Sequence, residues 1–163
     1  MKIMATKTKS IQALALVLLL FTGCASSQQF VHFPDQSKVV EDPSKGRIYV
    51  IRPKMTGLGI PSDINDDGAS IGNTGPRSFI CWERKPGDAT ISGTVDNTSE
   101  VKVKVQAGGV NYIIQTLHFG WLITTNRLDI VSEDAGKAAL KKCKPPYCYL
   151  PSGIKTNTAS APQ

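Results

Sequence analysis

The stretch Glu100-Val101-Lys102-Val103-Lys104-Val105-Gln106 alternates apolar and polar residues without a break. Successive side chains of a strand point to opposite faces, so this run puts Val101, Val103 and Val105 toward a core and Lys102 and Lys104 in water. On a helix the same valines would spread around the circumference. Turn residues bound the run on both sides, Asp96–Ser99 before it and Ala107-Gly108-Gly109 after it. A half-buried strand needs partners, and its neighbours supply them. Thr90–Val95 alternates with Ile91 and Val95 inward, and Val110–Phe119 reads as a long strand.

Farther out the pattern repeats. Arg47–Pro53 is an apolar run with Ile48 and Val50 on one face and Tyr49 and Ile51 on the other. Ser78–Glu83 is a second such run, and Lys85-Pro86-Gly87-Asp88 is a turn. Leu122–Ile130 holds one or two more strands. Ser132 then stands as an N-cap before Glu133 and Asp134, which favour a helix start, and Lys141 and Lys142 are expected in the last turn. The fold class is mainly β: a small antiparallel β-sandwich over residues 46–143 with one short C-terminal helix. Residues 144–163, with Pro145, Pro146, Pro151 and Pro162, read as a loosely ordered tail.

The N-terminal segment has a different character. Lys2, Lys7 and Lys9 precede an unbroken apolar run from Ala13 to Phe21. Nine residues fall short of the roughly 20 that a membrane-spanning helix needs, so residues 1–23 read as a signal peptide. Phe21-Thr22-Gly23-Cys24 resembles the bacterial lipobox, with Phe21 where Leu is more usual. That resemblance implies that Cys24 receives a diacylglycerol, that the chain is cut before it, and that the new amine is acylated. Ala25 follows the cysteine. By resemblance to the lipoprotein sorting rule it implies the outer membrane, or the cell membrane where no outer membrane exists. Residues 24–45 are polar and contain prolines, and read as a lipidated flexible tether.

The domain itself resembles a family of small bacterial lipoprotein domains of unknown function, PEGA-like in style. The residues that carry this are Gly46–Pro53, Asp67–Gly72, Lys85-Pro86-Gly87, Ala107–Ile113 and Leu128–Gly136. The resemblance implies a β-rich domain facing the periplasm and no activity.

Several function classes are disfavoured by residue chemistry. The chain carries 19 basic and 13 acidic residues; without Lys2, Lys7 and Lys9 the balance is 16 to 13, or +3. That charge is mild and evenly spread, which argues against nucleic acid. Asp63, Asn65 and Asp67 match the first half of a calcium loop, but position 12 is Thr74 rather than a bidentate Glu, and Asp67-Gly68 fits a hairpin turn better. Cys143 and Cys148, separated by Lys-Pro-Pro-Tyr, are candidates for a disulfide outside the cytoplasm, with Cys81 left as a small buried hydrophobe; pairing of Cys81 with either is the alternative. Zinc would need about four ligands and is rejected. His32 falls in the tether and His118 near a strand end. Nothing resembles Gly-x-Ser-x-Gly or a phosphate-binding loop. Trp82, Tyr112, Phe119 and Trp121 form either an aromatic platform or, for most of them, core. No catalytic residue and no cofactor is expected.

The favoured function is a lipid-anchored, non-enzymatic β-sandwich that binds the membrane through its lipid and an envelope protein through its domain. The alternatives are an accessory lipoprotein of a secretion or surface assembly, and an envelope enzyme acting on peptidoglycan or glycan.

Overall fold

The computed structural model describes residues 26–149. Their elements follow in the order β1 (Gln28–Gln29), β2 (Gly46–Arg52), β3 (Ser62–Asp66), β4 (Ala69–Thr74), β5 (Ser78–Arg84), β6 (Gly87–Thr94), β7 (Thr98–Val105), β8 (Val110–Phe119), β9 (Thr124–Val131), α1 (Glu133–Leu140) and β10 (Cys148–Tyr149). One sheet has six strands in the order β10-β1-β4-β3-β6-β7, and the other has four in the order β5-β2-β8-β9. The chain is mainly β, two sheets with one short helix, as its alternation predicts. Two pairings depart from the antiparallel expectation: β2 with β8, and β1 with β10. Both join strands far apart in sequence, which no hairpin links.

The alternation translates directly into layers. In β7, Val103 and Val105 are buried while Lys102 and Lys104 are exposed. Ile48, Val50, Ile80, Ile113 and Leu128 of the four-stranded sheet meet Ile64, Ile71, Ile91, Val103 and Val105 of the six-stranded sheet. The opposite face of the four-stranded sheet is also buried: Tyr49, Ile51, Phe79, Cys81 and Tyr112 pack under Ala139 of α1. Hence every residue of β2 is buried, and its two apolar faces serve two different cores. This is a sandwich with a helix as a third layer.

Ser132 caps α1, its hydroxyl accepting from the Ala135 N–H, with Glu133 and Asp134 in the first turn. Lys141 and Lys142, expected in the last turn, lie past the final helical residue. The helix ends at Leu140, Lys141 is its cap, and Lys137 is the basic residue in its last turn. Gly136 lies against Tyr112, where an added Cβ would be 2.3 Å from the ring Cγ. A larger residue at this point would hold the helix off the sheet.

Asp67-Gly68 turns β3 into β4, with Asp66 paired to Ala69 and positive φ at both turn residues, 48° and 82°. That is the two-residue hairpin geometry.

The segment expected to be a tether packs on the domain from Ser27 onward. Gln29 is fully buried; its amide donates to the Cys81 carbonyl at 2.6 Å and its Oε1 accepts from the Cys81 N–H at 3.0 Å. Phe33 joins the outer core. The polar composition concealed this because the buried groups are polar ones satisfied by distant backbone.

Candidate functional site

The four-stranded sheet does not end evenly. β2 pairs with β8 only as far as Ile114, whereas β8 and β9 stay paired out to Phe119 and Thr124. The hairpin therefore projects past its neighbours. Its tip is closed by the Gly120 N–H donating to the Ile123 carbonyl at 2.9 Å. On it stand Phe119, Trp121, Leu122 and Ile123, exposed by 53, 97, 86 and 56%. The sequence reading placed Leu122 and Ile123 in a strand; they belong to this loop. Of the four aromatics considered together, Trp82 and Tyr112 are core, while Phe119 and Trp121 are surface.

Below the tip the space between the sheets is polar. Gln115 is fully buried; its amide nitrogen donates to Ser62 Oγ at 2.6 Å and to Asn126 Oδ1 at 2.9 Å, and its Oε1 accepts from the Thr74 hydroxyl. Asn126 in turn donates to the Gly93 carbonyl. Each polar group in this belt is matched, as burial requires. The belt separates the tip from the apolar core, so Trp121, Leu122 and Ile123 contribute nothing to core packing. An exposed apolar group of this size marks an interaction surface in a folded protein.

A second loop, residues 53–61, flanks the tip. Arg52 organises it. The guanidinium is 1% exposed and donates to four carbonyl oxygens, those of Thr56, Gly57, Ile60 and Thr74. Burial pulls its pKa down to about 10, so it remains charged at neutral pH. The loop carries Met55 and Leu58, 51 and 60% exposed, and brings Gly57 against Leu117 and Phe119.

Beyond Met55 and Leu58 lies a cleft of about 450 Å³ shared with Pro76, Arg77 and the Lys141–Lys144 segment. The end of α1 reaches this place because the Lys144 N–H donates to the Arg77 carbonyl and the Phe79 N–H donates to the Lys144 carbonyl. Lys54, Arg77, Lys141, Lys142 and Lys144 are all exposed around it. Toward this end the Asp96 carboxylate accepts from the Thr124 N–H at 2.7 Å, and Asp63 lies on the outer side of β3. The end of the sandwich that carries the β8–β9 tip is thus apolar and rimmed with cations.

The other sequence-predicted residues fall elsewhere. Cys24 lies outside the described residues. Asp63 and Asn65 lie along an extended strand, and the Asp67 carboxylate accepts from the Thr90 N–H at 2.8 Å and from Arg84 at 3.0 Å. A calcium loop would have to coil these oxygens around one point. Among the described residues no group of three His, Cys, Asp or Glu side chains is placed to hold a metal ion.

Cys143 is a free thiol, and the side chain of Cys148, its expected partner, lies outside the described residues. The backbone separates their destinations: Cys143 packs against the outer core, and Cys148 pairs with Gln28 at the edge of the six-stranded sheet. Cys81 is a fully buried thiol, as expected; burial pushes its pKa up to about 12, and the Gln36 amide donates to its sulfur.

One cleft does gather ionisable groups: His32, Glu41, Asp42, Lys45 and Glu83 beside Trp82. Glu83 accepts from Arg47 at 2.8 and 3.0 Å and from the Asp42 N–H at 3.0 Å. Glu41 accepts from His32 at 2.9 Å and from the Asp35 N–H. These side chains bind the segment 32–45 to the start of β2. His118 is exposed near the tip, away from this cleft.

A protein of Haemophilus influenzae, described as an uncharacterized protein, is 29% identical over 130 residues, 77% of each chain. No protein-family model matches. Among the described residues no helix is long and apolar enough to cross a membrane.

Proposed function

We propose that the chain is a lipid-anchored envelope protein, held through Cys24, whose non-catalytic β-sandwich binds an envelope partner through its apolar, cation-rimmed end. The observation that carries the binding role is the exposure of Trp121, Leu122 and Ile123 above a fully satisfied polar belt. Such residues are costly to leave in water, and no packing need of the fold accounts for them. The anchor reading rests on the lipobox-like Phe21-Thr22-Gly23-Cys24, and Ala25 favours the outer membrane. The non-catalytic reading is supported by the cleft at Trp82, where each carboxylate already holds the segment 32–45 in place. Metabolic labelling with a clickable fatty acid tests the anchor. The wild-type chain should take up label and Cys24→Ala should not, while accumulating as the longer precursor. Equal labelling of both would overturn it.

A further inference from the structure

We infer that the envelope component met by the apolar, basic end is the anionic surface of a phospholipid bilayer rather than a protein. This rests on the anchored reading above and adds an orientation to it. Three observations converge on the same end of the molecule.

The first is where the chain enters. Gln28 pairs with Asn73, one residue from the end of β4 at Thr74, and the Thr74 carbonyl accepts from Arg52 beside the 53–61 loop. β1 runs away from that end, since Gln29 pairs with Gly72. β1 therefore starts at the end that carries the tip. Ser27 is 2% exposed, and its carbonyl accepts from the Tyr147 N–H at 2.9 Å. Two residues lie between Cys24 and Ser27, and the three steps from one to the other span at most about 11 Å. A lipid on Cys24 would hold this end, and no other, against the bilayer.

The second is the chemistry of the tip. Trp121, Leu122 and Ile123 project beyond every pairing of the sheet. An amphipathic indole beside two aliphatic side chains is suited to the boundary between headgroups and acyl chains.

The third is charge. Lys54, Arg77, Lys141, Lys142 and Lys144 surround Met55 and Leu58 on the same end. The Asp96 carboxylate is occupied by the Thr124 N–H, and Asp63 points from the outer sheet face. Cations beside an apolar insert match anionic headgroups above acyl chains.

The test uses the mature chain isolated from membranes and reconstituted into vesicles of phosphatidylethanolamine and phosphatidylglycerol, with or without bromine on the acyl chains. Trp82 is 4% exposed inside the core and Trp121 is 97% exposed, so a lipid-borne quencher reads Trp121. Bromolipid should quench and blue-shift wild-type emission and leave Trp121→Phe unchanged. Lys141→Glu with Lys142→Glu should reduce the quenching. So should replacing phosphatidylglycerol by phosphatidylcholine. Emission of Trp121 that is quenched by aqueous iodide and untouched by bromolipid would overturn the proposal. So would equal quenching in anionic and zwitterionic vesicles, for the part played by the cations. Flotation and the intact mass of the same sample report the anchor separately. An acylated, floating chain with a water-exposed Trp121 defeats this inference alone, whereas a chain without acyl mass defeats the anchor.

Discussion

Arg52 donates to the carbonyl oxygen of Thr74 at 3.2 Å, joining the end of β2 to the end of β4 across the two sheets. The same guanidinium holds three carbonyls of the 53–61 loop, and no carboxylate is bonded to it. The partners of this buried cation are thus all backbone carbonyls, taken by its two terminal nitrogens, while its Nε has none. Its replacement by Met should leave four acceptors short of donors. Since an unsatisfied buried acceptor costs about 1–3 kcal/mol, and loop relaxation recovers part, a loss on the order of 3 kcal/mol is expected. Urea denaturation of Arg52→Met should show it, together with increased proteolysis between Pro53 and Pro61. An unchanged midpoint would mean that the carbonyls find water at no cost.

Arg47 and Glu83 make the pH-dependent counterpart. Burial works to raise the Glu83 pKa, but the Glu41 and Asp42 N–H groups and Arg47 together outweigh it and hold the carboxyl below its usual 4.5. A depressed carboxyl contributes stability that is present above the unfolded value and lost as pH falls through the folded one. Glu83→Gln should therefore destabilise at neutral pH and converge with wild type only as pH falls through the depressed folded value. Asp66, raised by burial, acts in the opposite sense, so the difference between the two proteins is the quantity to measure. Parallel curves at all pH values would contradict the assignment.

Much of this architecture is legible in the residues. Val101, Val103 and Val105 define a strand by period, Asp67-Gly68 a hairpin by turn chemistry, and Ser132 a helix start by its hydroxyl. The division of β2 into Ile48 and Val50 against Tyr49 and Ile51 anticipates its two cores. What was hidden depends on contacts between distant residues. Gln29 and Cys81 are 52 positions apart, and their mutual hydrogen bonds help to hold a polar segment on the domain. Leu122 and Ile123 look like strand residues locally. Their exposure follows from β2 stopping at Arg52 while the β8–β9 hairpin continues, which is a property of pairing lengths.

The approach of α1 to the sheet makes a sharper prediction. Tyr112 stacks on Tyr49 with ring centroids 5.5 Å apart, directly under Gly136. Alanine in place of Gly136 would improve helix propensity by about 1 kcal/mol. A Cβ at 2.3 Å from the tyrosine ring reverses that gain. Gly136→Val should cost on the order of 2 kcal/mol, as overpacking does, and weaken the tyrosine near-ultraviolet circular dichroism. A stabilised Gly136→Ala would show that the helix moves freely.

Thiol chemistry distinguishes the two fates of Cys143. Burial pushes its pKa up to about 11 and that of Cys81 to about 12, so both should react slowly in the native protein. Unfolding without reductant should release three thiols for labelling, those of Cys81, Cys143 and Cys148. A single reactive thiol under those conditions would restore the Cys143–Cys148 bond.

The central claim is that the β8–β9 end is where this protein makes its contact. A photoactivatable side chain placed at position 121, compared with one at position 102 on the exposed face of β7, tests it in intact cells. Irradiation should give adducts from position 121, to phospholipid, and few from position 102. Adducts from position 121 to a protein would keep the surface and replace its occupant. Adduct yields at position 121 no higher than at position 102 would contradict the claim.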